Sequence, residues 1–338
     1  MIAALPLILA CGLAAIVSAA LCVLLRPLLL RYALARPNAR SSHRIPTPQG
    51  GGIAVLTGAF LATGVAAWAG GLPLPGIVPL LLATTLLAIL GAWDDIRPLP
   101  ASLRLLLQAG CVALVLAYAV PELRLFPEIM PLWTERALAL LAGVWFVNLV
   151  NFIDGLDWIT VAGLVPLAGA IALSAKFGFV DAKSGLIAAA LCGALIGFAP
   201  FNRPVAKLFL GDVGSLPLGL VTAYLLYRVA GQGGFTAALI LPLYAVTDAT
   251  ITLIRRLVRG ERVWEAHRSH FYQQATDNGL SVLGVVGRIA ALNFALCGLA
   301  LASLTWTGWP VQIACLAAAW GLTGLLLAHF ACKGTPRG

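Results

Sequence analysis

The sequence predicts an all-α polytopic integral membrane protein, and two observations carry that prediction. Of 338 residues, 61% are hydrophobic and only 10% charged, with a mean hydropathy of +0.96. Soluble domains carry about 25% charged residues. The apolar stretches are also continuous, as helices crossing a bilayer require, and not the short alternating segments of a barrel. Together these features exclude a soluble globular, disordered or collagen-like chain.

About eleven apolar segments are long enough to span, near residues 2–25, 53–69, 75–92, 104–120, 137–152, 160–177, 184–200, 215–230, 236–254, 285–305 and 310–330. The first begins without a basic leader or a clear cleavage site, so it reads as a span and not as a removed signal peptide. Longer polar segments fall at 31–52, 93–103, 121–136, 201–214 and 255–284. No soluble domain and no internal repeat fits between them, so residues 1–338 read as a single transmembrane domain. The seven cysteines lie in or beside apolar runs without a C-x-x-C pair. They read as small buried hydrophobes, not as a disulfide framework or a zinc site.

Charge sets the expected orientation. Of 22 lysines and arginines, five (Arg124, Arg136, Lys176, Lys183, Arg228) fall on one side and the other 17 on the opposite side. Basic residues mark the cytoplasm, which places the N-terminus outside and the C-terminus in the cytoplasm. The net charge of +9 is thereby a topology signal, not a nucleic-acid footprint. Of 13 acids, eight then lie on the cytoplasmic side, four outside, and Asp248 within a span.

The cytoplasmic acids fall into motifs. Asp94-Asp95 end a span that runs inward, where the helix dipole disfavours carboxylates by some tenths to about 1 kcal/mol. A divalent cation or a basic side chain is expected to offset this. Asn148, Asn151, Asp154 and Asp157 recur every three residues along one helix face, with Gly155 as the break. Such a stripe is costly in lipid unless it faces a site or itself. Gly211-Asp212-Val213-Gly214-Ser215 precedes a span, and a glycine-flanked helix start suits a phosphate. Asn202 lies in the same loop. The segment His43-Arg44-Ile45-Pro46-Thr47-Pro48, followed by Gly50-Gly51-Gly52, forms a stiff turn whose backbone can approach a ligand closely. Loop 255–284 is basic and aromatic and carries His267, Arg268 and His270, a pattern that fits lipid headgroups or a diphosphate. Two histidines alone make a zinc site a poor fit. Asp248 is expected to serve a neighbouring Asn or Arg structurally.

Taken together and in this order, these segments resemble the polyprenyl-phosphate N-acetylhexosamine-1-phosphate transferases, over nearly the whole chain. The family's aspartate pair matches Asp94-Asp95, its Asn-x-x-Asn-x-x-Asp-Gly-x-Asp motif matches Asn148 to Asp157, and its Gly-Asp-x-Gly-Ser motif matches Gly211 to Ser215. Its histidine loop matches His267 and His270, and Arg104 resembles a basic position after the Asp pair. The chain departs from the family at Trp158, where Gly is usual. It also lacks a lysine ahead of Thr47-Pro48 and an unbroken histidine triplet. The last two departures point to the O-antigen or surface-glycan initiating branch and away from the peptidoglycan enzyme.

The resemblance implies an enzyme of the bacterial inner membrane. It would transfer an amino-sugar-1-phosphate from a UDP-amino-sugar to undecaprenyl phosphate, releasing UMP. It implies Mg²⁺, with Mn²⁺ as the alternative, on Asp212 and Asp94, and catalytic roles for Asp94, Asp95 and Asp154. Substrate binding is expected from His43, Arg104, Asn148, Asn151, Asp157, Asn202, Gly211, Ser215, His267, Arg268 and His270, in loops 31–52, 93–103, 153–159, 201–214 and 255–284. The lipid bilayer and a second copy of the chain are the expected macromolecular partners, with no nucleic acid. The rival expectations are a transporter and a non-catalytic lipid-binding scaffold. A transporter places its site at the bilayer midplane, often between repeats, whereas these acids sit at one edge.

Overall fold

The computed structural model describes residues 2–35, 46–72, 76–265 and 267–332. They form thirteen α-helices: α1 (Ala4–Tyr32), α2 (Gly51–Ala69), α3 (Val78–Ile96), α4 (Ala101–Leu114), α5 (Leu132–Ile153), α6 (Ile159–Lys176), α7 (Ala182–Phe198), α8 (Asp212–Val229), α9 (Phe235–Ile240), α10 (Leu243–Val258), α11 (Phe271–Asp277), α12 (Val282–Thr305) and α13 (Trp309–Ala331). Two-residue strands β1 (Leu34–Ala35) and β2 (Thr47–Pro48) pair antiparallel, and a single parallel bridge joins Gln49 to Phe209, small additions to the all-α expectation.

Among the described residues nine helical stretches are long and apolar enough to cross a membrane, and the 17-residue α7 is shorter. The eleven expected segments therefore differ from the structure, mainly near residues 230–254. A π-helical turn at Ala230–Gly234 joins α8 to α9, with the backbone leaving helical values at Gln232 and Gly233. The expected ninth span, 236–254, is broken between α9 and α10. Pro242 stands at the N-cap of α10, and having no N–H it cannot continue the ladder from α9. Two short pieces thus replace one span, and α10 carries Asp248.

The core lies around α7, which packs on α1, α2 and α6 and is buried on nearly every face. Small residues make this possible. A Cβ added at Gly193 or Gly197 would lie 2.0 or 2.2 Å from the Cys11 or Ala15 carbonyl oxygen of α1. Backbones this close are how membrane helices associate without a hydrophobic driving force between them. Helix α8 packs against α3 and α5. Its N-terminus meets the C-terminal ends of both, so the acidic motifs gather at one end of the bundle.

Candidate active site

The end of α3 and the start of α8 are locked together. Asp95 Oδ1 accepts the Asp212 N–H at 3.1 Å and Asp95 Oδ2 accepts the Val213 N–H at 3.2 Å. A carboxylate from one helix thus caps the N-terminus of another. This resolves the dipole problem of the Asp pair in part, because the negative charge at the end of α3 also lies at the positive end of α8. It also corrects the expectation that the α8 N-terminus is open to a phosphate, since its first N–H groups are taken. Gly211 (φ 75°) is needed for this approach, as a Cβ there would lie 2.8 Å from Asp95 Oδ2.

The other half of the pair is offset differently. Asp94 Oδ2 accepts from Arg104 at 2.6 Å, and Oδ1 accepts the Leu99 N–H at 2.6 Å. The glycine-rich segment also differs from expectation. Gly50 and Gly51 donate to the Phe209 carbonyl and Gly52 to the Leu210 carbonyl. A Cβ on Gly52 would lie 2.1 Å from Gly214 Cα. Its close backbone approach is therefore to α8, not to a ligand. Gln49 Nε2 donates to the Asp95 carbonyl, tying the same segment to α3. His43 and Arg44 lie outside the described residues.

From α5, Asn151 Nδ2 reaches Asp212 Oδ1 at 2.7 Å and Ser215 Oγ at 2.8 Å. Asn148, one turn deeper, donates to buried Gln108 of α4 at 2.6 Å. Asp154 follows the last turn of α5 and accepts the Thr160 hydroxyl. Burial is the main influence on its carboxyl, and Asp212, Asp95 and Asp157 add like charge. Against the Thr160 bond, these push it up to about 8. The Asp94 and Asp212 carboxyls lie within hydrogen-bonding reach of each other. Four acids from three helices therefore converge on one small volume.

Asp157 and Asn202 build the floor of this volume. Asp157 Oδ2 accepts the Ala206 N–H at 2.9 Å. Asn202 accepts the Trp158 N–H at 2.8 Å and donates to the Leu208 carbonyl. Trp158 has φ 67°, the one non-glycine residue with positive φ among those described, which accounts for glycine being usual at this place. Its indole N–H donates to the Ala199 carbonyl at 2.6 Å and helps hold the strained backbone.

The histidine loop joins the site from the far side. Tyr272 Oη donates to the Phe152 carbonyl at 2.9 Å, and the Phe152 and His270 rings are 6.4 Å apart. His270 is the extended N-cap residue of α11, His267 lies outside any helix just before it, and their rings are 4.8 Å apart. Arg268 points elsewhere and bonds Asp277 at 3.0 Å and Thr276 at 3.2 Å. Asp248 partners His270, Tyr244 and Thr252, not the Asn or Arg expected of it. Sequence reasoning missed Gln49, Gln108 and Thr160, whose types carry no motif signal.

Among the described residues no three His, Cys, Asp or Glu are arranged to hold a metal. Mg²⁺ is commonly bound by one or two carboxylates together with substrate phosphates. Asp94 and Asp212, whose carboxyls face each other, are the pair that could hold it.

Comparison with known proteins bears on this geometry. Residues 77–230 match the family model described as Glycosyl transferase family 4. The matched segment contains Asp94, Asp95, Arg104, Asn148 to Asp157 and Gly211 to Ser215, and leaves the histidine loop outside. The chain is similar to the decaprenyl-phosphate N-acetylglucosaminephosphotransferase of Mycobacterium tuberculosis, 28% identical over 75% of this chain and 71% of that protein. It is similar to the phospho-N-acetylmuramoyl-pentapeptide-transferase of Synechococcus sp., 33% identical over 56% of each. The enzyme of that name from Oceanobacillus iheyensis is 42% identical over 26% of this chain, which spans 27% of its length.

Proposed function

We propose that this protein transfers an N-acetylhexosamine-1-phosphate from a UDP-sugar to a polyprenyl phosphate, giving a polyprenyl-diphospho-sugar and UMP. The observation that carries this is the meeting of Asp94 and Asp212 beside Asp95 and Asp154. A cluster of like charge suits a place where a cation and anionic phosphates are bound. Its place at one end of the bundle, not at the middle, suits a lipid phosphate at the interface meeting a soluble nucleotide, and disfavours a transporter. We take that face as cytoplasmic from the arginine and lysine count, in the inner membrane of a bacterium.

The residues take distinct parts in this mechanism. Asp212 and Asp94 would hold Mg²⁺, which when bound would neutralise charge developing on the phosphate of the leaving UMP. Asn151 fixes one oxygen of Asp212 and turns the other toward the site. Arg104 pairs with Asp94 at 2.6 Å and orients it. Asp95 is a positioning group, because its two oxygens hold the start of α8 and not a substrate. The acceptor phosphate, with a second pKa of about 6, is already largely ionised at neutral pH. It needs alignment more than a base. Asp154, Asn148 and Ser215 shape the nucleotide side, and His267 and His270 face the diphosphate. The donor is proposed as an N-acetylhexosamine, because the relative aligned over three quarters of the chain carries N-acetylglucosamine in its name. The lipid product would begin a surface glycan.

Release of UMP by purified protein, with undecaprenyl phosphate and a panel of UDP-sugars, tests the proposal. Release that needs both the lipid and Mg²⁺, and stops with EDTA, is expected. Folded protein that releases no UMP with any sugar would overturn it.

A further inference from the structure

Asp248 is fully buried, and its carboxylate serves five donors. Oδ1 accepts from His270 Nδ1 at 3.1 Å, the Phe271 N–H at 3.1 Å and the Thr252 hydroxyl at 3.3 Å. Oδ2 accepts from the Tyr244 hydroxyl at 3.1 Å and the Tyr272 N–H at 3.3 Å. An unpaired carboxylate in this setting would be prohibitive, so the network is built for it. It does two things at once, capping the start of α11 and gripping one nitrogen of His270.

The other nitrogen is left over. His270 is only 3% exposed, and Gln273 takes its backbone N–H. Among the described residues its Nε2 has no hydrogen-bond partner. The ring is stacked on Tyr272 at 5.5 Å and lies against Phe152, two residues before Asp154. Which nitrogen of an imidazole carries the proton is set by the bond the other makes. Asp248 therefore dictates the state of Nε2 from the far side of the ring.

We propose that Asp248 is a positioning residue that holds His270 by Nδ1 so that Nε2 alone meets the substrate diphosphate. With Asp248 on Nδ1, Nε2 is the one ring nitrogen left to meet a phosphate oxygen. This rests on the function proposed above, although the placement of His270 does not.

Two substitutions separate the nitrogens. His270→Asn keeps a donor at the Nδ1 position and removes Nε2, while His270→Gln keeps a donor near Nε2 and loses the grip of Asp248. Melting temperature in detergent is expected to follow Nδ1, so Asn melts close to wild type and Gln melts lower. KM for the UDP-sugar is expected to follow Nε2, rising at least about 10-fold in Asn and less than about 3-fold in Gln. UMP binding, read as a thermal shift, follows the same order without needing turnover, so it still reports if the proposed transfer reaction fails. Asp248→Asn should raise KM in wild type but have no further effect on a His270→Gln background, as residues acting through one another behave in a double-mutant cycle. Asn keeping the wild-type KM, or Asp248→Asn adding fully to His270→Gln, would overturn the proposal.

Discussion

At one end of the bundle, Glu135 and Asp181 each face an arginine. Glu135 meets Arg124 at 2.8 Å and Asp181 meets Arg228 at 2.9 Å. At the other end Asp94, Asp95, Asp154 and Asp212 converge, and among the described residues one ion pair, with Arg104, serves them. Both sets sit where helices end, in a chain poor in charge. The paired acids tie helices together, since Asp181 also caps α7 through Ser184 and takes the Gln232 amide. The crowded acids raise one another by like charge, and under the proposed function they are kept for the cation and phosphates they would bind. The contrast teaches that a buried acid points to chemistry only when its own fold leaves it unneutralised.

The largest expected effect breaks the crowded end. Asp212→Asn should lower the rate of UMP release by about 10³-fold, the equivalent of several kcal/mol of transition-state stabilisation. The same change should leave the metal-free melting temperature unchanged or higher, because it removes like charge. Mg²⁺ with UMP should raise the melting temperature of wild type and not of this variant. A fall in stability comparable to the loss of rate would show that Asp212 is structural.

The paired end should respond the other way. Glu135→Gln leaves Arg124 partly buried beside a neutral group and should cost about 3 kcal/mol of stability, seen as a lower denaturation midpoint. KM for both substrates, measured below that midpoint, should hold. An unchanged midpoint would mean that the Arg124 pair holds nothing together.

The acid dependence of stability sharpens the same contrast. Burial acts to raise the Asp181 carboxyl, but the Ser184 hydroxyl and amide and the Arg228 guanidinium outweigh it and hold the group at about 2. A depressed carboxylate contributes stability that is complete above its unfolded value, near 4, and fades as the pH falls toward 2. Melting temperature should therefore drop across that window, and Asp181→Asn should flatten the slope while lowering the plateau above pH 5. A slope unchanged in the variant would assign the acid sensitivity to another group.

The smallest effect belongs to Trp158→Gly. Relief of the left-handed backbone, worth about 1–2 kcal/mol, is set against the lost indole hydrogen bond, worth about 1 kcal/mol. Melting should shift by the equivalent of no more than about 1 kcal/mol. A loss several times larger would show that the indole, not the backbone, decides this position.

How much of this was legible in the sequence depends on what each residue reports. Continuous apolar runs and the edge position of the acids gave the helices and the shared end. Spacing of three along α5 brought Asn151 and Asp154 to Asp212, as the stripe implies. The roles of the two halves of the Asp pair were not legible. Asp95 is separated from its N–H donors by 117 and 118 residues, and no local pattern encodes a cap from another helix. The glycines of 50–52 announced a close approach, but composition cannot say whether a ligand or the backbone at Gly214 approaches. Pro242 interrupts the apolar run 236–254, and hydropathy alone does not register the missing N–H that ends α9 there. Asp248 announced itself as an acid among apolar residues, and only the structure shows that its partner is His270.

The bond from Asp95 to the start of α8 has a consequence for biosynthesis. Its partner residue lies 117 positions later in the chain, which at a synthesis rate of about 5–20 residues per second takes about 6–23 s to appear. Through that interval α3 is made with its Asp95 carboxylate uncapped at the membrane surface. A nascent chain halted before Asp212 has every residue of α3 and α5 but nothing to draw their ends together. The site is thus among the last parts of the molecule to form, however early its first acids enter the bilayer.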